Sequence, residues 1–349
     1  MNRHGELLLH FVTASFSILA AFSVVALLMQ FVGLPPLPSL GLIFWGGIGS
    51  SHNFIESLVA ATPLLLVSQG LAISFTAKVW NIGAEGQIYV GGLTAAWTAL
   101  LLKDMPPILT LSVALILGAL AGMAWAFLPA FLKAYENINE IFTTLFMNYI
   151  AIYIVSYLLL GPLRDPISFY PQTEILPKQL HLPVLIEGTR LHLGIFFAIF
   201  VVTPLVYIFL KRTSFGLRLK IYGSSEKSAI YAGIKRKRVI MTALLTSGFL
   251  AGLAGAVEVL AIQFTMRLTL SPGWGYTGIA VAILGYLHPL GVLAASIFFG
   301  IVYTGTFTLS AIKTTPIGIA SVVQGLVLIF IMAGSLLERK VVKRWLSLE

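Results

Sequence analysis

From Leu268 to Ile312 the chain runs for 45 residues without one Asp, Glu, Lys or Arg. Soluble chains carry about 25% charged residues, so a gap of this length is foreign to them. As a single helix the stretch would be about 67 Å long, twice the ~30 Å hydrocarbon core of a bilayer. A break at His288-Pro289 resolves this, because proline disfavours a helix running through it. The remaining sequence repeats the pattern. Of the 349 residues 58% are hydrophobic and only 10% are charged. The apolar runs are continuous rather than alternating, which excludes a membrane β-barrel. A helix, in contrast, satisfies its own backbone N–H and C=O groups in lipid. The expected fold class is an all-α integral membrane protein.

A span needs about 20 mostly apolar residues. Ten are expected, at 7–32, 56–77, 84–102, 107–132, 139–160, 191–210, 239–264, 268–287, 289–312 and 314–337. The first has a basic start and is too long for a cleaved signal, so it is expected to be retained. With no long polar stretch to form a soluble domain, residues 1–349 are expected to make one polytopic membrane domain. Placing both termini in the cytoplasm puts sixteen of the 22 Lys and Arg residues inside and six outside. Short cytoplasmic loops carry that excess. The net charge of +9 is thereby explained without nucleic acid. The sequence has no Cys, hence no disulfide, thiolate metal site or Cys nucleophile.

Three connecting segments differ in chemistry. Gly33 to Phe54 carries no ionised residue but has Trp45, and is expected along the outer interface. Residues 161–190 form an external loop with five prolines, either a stiff connector or a surface for an extracytoplasmic partner. Residues 211–238 form a cytoplasmic loop with nine Lys or Arg against one Glu. Within it, Gly223 to Ile234 has the spacing of a short amphipathic helix followed by a glycine turn.

Few polar residues lie inside the apolar runs. Glu140, Thr144 and Asn148 recur every four residues and make one stripe on the fifth span. Asn148 needs partners at that depth, either as interhelical glue or facing a water-filled path. Glu258 is the ionisable residue within the seventh span. It sits near the close-packing seam of Gly248, Gly252 and Gly255, and lines the path, gates it, or stays neutral and hydrogen-bonded. Asn81, Glu85 and Gln87 lie in the cluster NIGAEGQ, either a re-entrant turn or a cytoplasmic cap on the next span. The sequence has no GxxxxGK[ST] phosphate loop, HExxH or GxSxG, and its six His residues lack metal-ligand spacing. No catalytic residue, metal or cofactor is expected.

Six ordered stretches resemble one family: WNIGAEGQIYVGG (80–92), NEIFTTLFMNYIA (139–151), GPLRDP (161–166), GLRLKIYGSSEKSAIYAGI (216–234), SGFLAGLAGAVEVL (247–260) and SPGWGYTGIAVAILG (271–285). They are similar to the permease subunits of bacterial ATP-binding-cassette (ABC) importers, in the sugar and branched-chain amino acid permease superfamily, most of all its nucleoside-uptake branch. The resemblance implies a non-catalytic subunit in a bacterial cytoplasmic membrane. Its implied partners are membrane lipid, a second permease subunit, separate ABC ATPase subunits and an extracytoplasmic substrate-binding protein. It makes 223–234 the coupling helix, with Gly223, Ala229, Tyr231, Ala232, Gly233 and Ile234 as docking residues. The uncharged polar residues suit a neutral hydroxylated solute. A ribose-like sugar is the alternative to a nucleoside, and an ion-coupled transporter using Glu258 and Glu85 is the alternative class.

Overall fold

The computed structural model describes residues 3–31 and 33–313, with short helical pieces between 322 and 334. Most of the expected span at 314–337 lies outside the described residues, and the C-terminal cations lie wholly outside them. Up to Lys313 the described residues form thirteen α-helices in order: α1 Arg3–Phe31, α2 Pro36–Ile48, α3 Ser51–Thr76, α4 Ala84–Leu101, α5 Pro107–Tyr135, α6 Glu140–Leu160, α7 Leu193–Phe197, α8 Thr203–Arg212, α9 Ser214–Ser224, α10 Glu226–Tyr231, α11 Arg236–Glu258, α12 Trp274–Leu284 and α13 Pro289–Lys313. No β-strand occurs among the described residues, only isolated bridges between Gln172 and Arg267 and between Val184 and His192.

Six of these stretches are long and apolar enough to cross a membrane: α3, α5, α6, the α7–α8 pair, α11 with its following turn, and α13. The pair α1–α2, bent by 119°, makes a seventh if counted as one. The expected span at 268–287 is corrected. Its helix is α12, of 11 residues, about 16 Å long and half a bilayer. Residues 268–273 stay non-helical, because Ser271 Oγ and Gly273 (φ 99°) turn the chain into α12. The break near Pro289 is present. α12 stops at Leu284, Tyr286 and Leu287 are left-handed (φ 52° and 54°), and α13 starts at Pro289.

The basic segment is also more ordered than a loop. α8 carries the helix out to Arg212, α9 follows at once, and α10 precedes α11. Thr213 caps α9 by accepting the Gly216 N–H at 3.1 Å, as Thr does at an N-cap.

The described chain divides into two compact units, residues 1–60 with 297–349 and residues 61–296. In the first, α2 packs against the later turns of α13. A methyl group on Gly305 would stand 1.8 Å from Ile43 O. In the second, α4, α5 and α11 form the core. Gly91 lies against Gly252, and Gly122 against Gly248 and Gly252, so closely that a methyl on Gly91 would be 2.3 Å from Gly252 O. Small residues give this approach its van der Waals contact in place of a hydrophobic driving force. Every polar cluster described below lies in this second unit.

Candidate functional site

α3 ends at Thr76 and the left-handed Lys78 (φ 55°) turns the chain. Residues 79–82 then run without helix toward α4. Non-helical backbone at this depth needs partners from elsewhere, and α6 supplies them. Thr144 Oγ1 accepts the Ile82 N–H at 3.1 Å. Asn148 Oδ1 accepts the Gly86 N–H at 2.8 Å, and its Nδ2 donates to Ile82 O at 2.8 Å and to Tyr276 Oη at 3.1 Å. Glu140 Oε1 accepts the Trp80 N–H at 3.4 Å, while its Oε2 lies 2.7 Å from Lys133 Nζ. The three-residue stripe on α6 thus faces the broken segment along its whole length.

The segment also closes on itself. Asn81 Nδ2 donates to Gln87 Oε1 and to Ser247 Oγ, both at 2.9 Å. Its Oδ1 accepts the Gly83 N–H at 3.0 Å and Gln87 Nε2 at 3.2 Å. Glu85 Oε2 accepts the Gly275 N–H at 2.7 Å. Its carboxyl therefore lies where the first turns of α4 and α12 meet, the positive ends of two helices. Asn81, Thr144 and Asn148 are fully buried and Glu85 is 3% exposed. The expected residues Asn81, Glu85, Gln87, Glu140, Thr144 and Asn148 come together in one knot, with their polar atoms engaged by protein.

Glu258 stands apart, eleven residues along α11 from Ser247, about 16 Å. A π-turn over Val259–Gln263 follows it. That winding brings residues five apart to one side, and Gln263 Nε2 donates to Glu258 Oε1 at 3.1 Å. Glu258 Oε2, buried, has no hydrogen-bond partner among the described residues. Over this end of α11 lies the external segment 161–190. Leu182 N–H donates to Leu260 O at 2.8 Å, Leu176 N–H to Phe264 O at 2.8 Å, and His181 stacks on Phe264 at 3.7 Å. The segment is a strap, not a free loop, with its apolar tip Ile167 and Phe169 each 93% exposed. His192 beneath it is fully buried, with neither ring nitrogen hydrogen-bonded among the described residues. Burial first, then the Arg190 charge, hold its pKa down to about 4.

The third cluster is on the basic side. Ser225 caps α10 by accepting the Ser228 N–H at 3.2 Å. Gly233 (φ 75°) closes it, and the Ile234 N–H reaches back to Ala229 O at 3.0 Å. This is the left-handed helix ending that glycine favours. The expected docking residues split here. Gly223 and Ala229 are buried in the bundle, and a methyl on Gly223 would stand 2.1 Å from Thr76 O. Tyr231 is 93% exposed, Ala232 and Gly233 are exposed, and Ile234 is half-buried. Arg236 fastens the helix from behind: its Nε lies 3.0 Å from Glu226 Oε1, and its Nη2 donates to Asn137 Oδ1 in the α5–α6 turn. Lys237 Nζ sits 3.9 Å above the Tyr135 ring.

Sequence reasoning missed the partners Ser247, Tyr276, Lys133 and Arg236. Lys133 and Glu140 carried a legible signal, opposite charges across a short turn. Ser247 and Tyr276 carried none, since only the fold brings them near Asn81 and Asn148.

Residues 53–332 match the family described as the permease component of branched-chain amino acid transport systems. A glucose ABC transporter permease of Haloferax volcanii is 29% identical over 94% of this chain and 88% of its own. A guanosine ABC transporter permease of Bacillus subtilis is 30% identical over 92% of this chain and 93% of its own. A nucleoside ABC transporter permease of Lactococcus lactis is 28% identical over 92% of this chain and 90% of its own. The same Bacillus and Lactococcus each hold a second related permease, matched over 256 residues. No solved structure matches. The matched region takes in the knot, Glu258 and α10 alike, and the chain belongs to this family of ABC transporter permeases, multi-pass membrane subunits that do not themselves hydrolyse ATP.

Proposed function

We propose that the chain is the permease subunit of an importer for nucleosides, driven by separate ATPase subunits. The observation that carries the coupling role is α10. It is a capped helix on the basic side, fastened by Arg236, presenting Tyr231, Ala232 and Gly233 outward. Small residues beside one exposed aromatic suit close docking in a partner's cleft. ATP-driven closure of that partner would move α10, and the buried Gly223 and Ala229 would carry the movement into the bundle. In this reading ten spans place both termini in the cytoplasm of a bacterial inner membrane, with residues 1–349 one domain. A second, related permease completes the path.

The knot then shapes the path rather than reading the solute. Asn81, Glu85, Gln87, Glu140, Thr144 and Asn148 hold α12 and the start of α4 in place, and Glu258 stands at the outer end beside the strap. The exposed tip of the strap is the proposed landing surface for the external binding protein. Two of the three relatives above are named for guanosine or nucleosides, which favours nucleosides. The glucose permease favours a sugar as the second reading. Membership of an ABC family supersedes the ion-coupled alternative.

The test is affinity purification from the native membrane, with the co-purifying external binding protein screened against nucleosides and sugars. A binding protein that retains nucleosides and not glucose or ribose supports the proposal. One that retains only sugars overturns the substrate, and reproducible lack of any ATPase overturns the coupling role of α10.

A further inference from the structure

Two grooves open beside the basic run Lys235–Arg238. One, of about 210 Å³, runs between α9 and the foot of α11, with Arg218, Lys235 and Arg238 above Phe215, Val239 and Thr242. The other lies against Ala134 and Tyr135 and shares Lys235 and Arg238 with the first. No carboxylate lines either groove. The neighbouring cations are already engaged: Arg236 with Glu226, Lys133 with Glu140, and Lys237 over Tyr135. Arg218, Lys235 and Arg238 are exposed and have no carboxylate partner among the described residues. Positive charge without a carboxylate partner is thus gathered at Lys235 and Arg238, which line both grooves, with Arg218 over the Phe215 ring in the first.

The position of the groove selects the ligand. Val239 and Thr242 belong to the membrane-crossing stretch Arg236–Gln263, whereas Arg218 and Lys235 stand on connecting segments. The groove therefore runs from the cations of α9 and the foot of α11 to the first apolar turn of the crossing helix, at Val239. An acidic segment of a soluble protein would reach only its cationic rim. An amphiphile with an anionic head and an apolar tail fits both parts. Basic pockets on the cytoplasmic side of membrane helices bind anionic headgroups by this chemistry.

We propose that this groove holds an anionic phospholipid, its phosphate among Arg218, Lys235 and Arg238 and an acyl chain along Phe215 and Val239. The lipid would set the height of α9 and of the foot of α11 at the membrane surface, and with them the start of α10. This goes beyond the transport reading and does not depend on the solute; Ala232, Gly233 and Ile234, which follow α10, line the same groove, so the lipid would sit beside the proposed ATPase-docking face.

The experiment is native mass spectrometry of the full chain in neutral detergent. The protein is titrated with phosphatidylglycerol, with phosphatidylcholine of the same chains, or with inorganic phosphate. Phosphatidylglycerol is expected to be retained at least tenfold better than phosphatidylcholine, and millimolar phosphate is expected not to displace it. Arg218→Gln with Arg238→Gln should weaken retention by about tenfold or more, since each cation contributes about fivefold. Lys227→Gln with Arg212→Gln, which removes equal charge outside the groove, should leave it unchanged. If the first pair fails to fold, Lys235→Gln alone, expected about fivefold weaker, decides. Equal retention of the two lipids, or equal loss in both charge-removing pairs, overturns the site. Displacement by phosphate makes it a free-anion site and overturns the lipid. Release of the lipid when ATPase subunits bind assigns the groove to a protein partner, which also overturns it.

Discussion

The knot around Asn81 and Asn148 and the helix α10 are both short polar interruptions in an apolar chain, yet they treat their polar groups in opposite ways. In the knot, Asn148 makes three hydrogen bonds inside the protein and shows no surface. On α10, Tyr231 is 93% exposed and a methyl group added at Gly233 would meet nothing within 4 Å. A buried group left without a partner loses its full hydration, about 1–3 kcal/mol each. The knot is therefore held by its own satisfaction, its polar groups engaged by protein. α10 has surface in reserve, which suits an element that meets a partner. Substitutions in the two places should consequently fail differently, one by unfolding and one by loss of transport.

The largest effect is expected at the knot. Asn148→Leu strands the Gly86 N–H and Ile82 C=O in a dry interior, at about 1–3 kcal/mol for each group. The variant should fall sharply in membrane abundance and in thermal unfolding midpoint in detergent. Asn148→Asp keeps the shape but loses both donors to Ile82 O and Tyr276, and should be nearly as damaging. A variant of native stability with changed solute preference would break the comparison and make Asn148 a path residue.

His192 sharpens the contrast, because it is buried like the knot but its ring nitrogens have no hydrogen bond among the described residues. Its pKa in the folded chain is about 4, below the ordinary 6.5, so folding favours the neutral ring. That contribution is complete above pH 6.5 and is lost as pH falls toward 4. It amounts to roughly 3 kcal/mol for a shift of this size. Acidification across this window should loosen the strap over α11, read as faster proteolysis or hydrogen exchange at 176–192. His192→Phe should flatten the dependence. An unchanged acid profile in that variant would show that another group titrates there.

The sequence made these regions unequally legible. The α6 stripe, the glycine seam of α11 and the left-handed Gly233 follow from periodicity and local stereochemistry, and each is visible in one dimension. The full-length eighth span was misread, since hydropathy counts apolar residues but not backbone turns. SPGWG supplies Ser271 and Gly273 to break the helix, and the apolar residues around them hide it. The split of the docking residues was also hidden. Gly223 and Ala229 look like surface until Thr76 and the bundle close over them. Partnerships such as Asn81 with Ser247, 166 residues apart, depend on the assembled fold.

On α10 itself the expected losses are in transport. Ala232→Asp adds an exposed charge and should change stability by no more than about 0.5 kcal/mol. Gly233→Arg has room but takes a left-handed φ, a strain of about 1 kcal/mol. Both should reach the membrane in normal amount and lose most uptake. Normal uptake in either at normal abundance would sink the coupling assignment.

The smallest effect is expected where the two regions are joined. Arg236 ties α10 to the α5–α6 turn through Glu226 and Asn137, and the Lys133–Glu140 pair continues from that turn to Trp80 in the knot. An exposed ion pair contributes about 0–1 kcal/mol, so Arg236→Gln should barely move the unfolding midpoint. If the tie transmits motion, the same variant should hydrolyse ATP with its partner at a normal rate while moving a few-fold less solute per ATP. Arg236→Lys keeps the charge but loses the planar fork that engages both Glu226 and Asn137, and should restore only part of the ratio. An unchanged ratio in both would leave α10 coupled through its buried face alone, at Gly223 and Ala229.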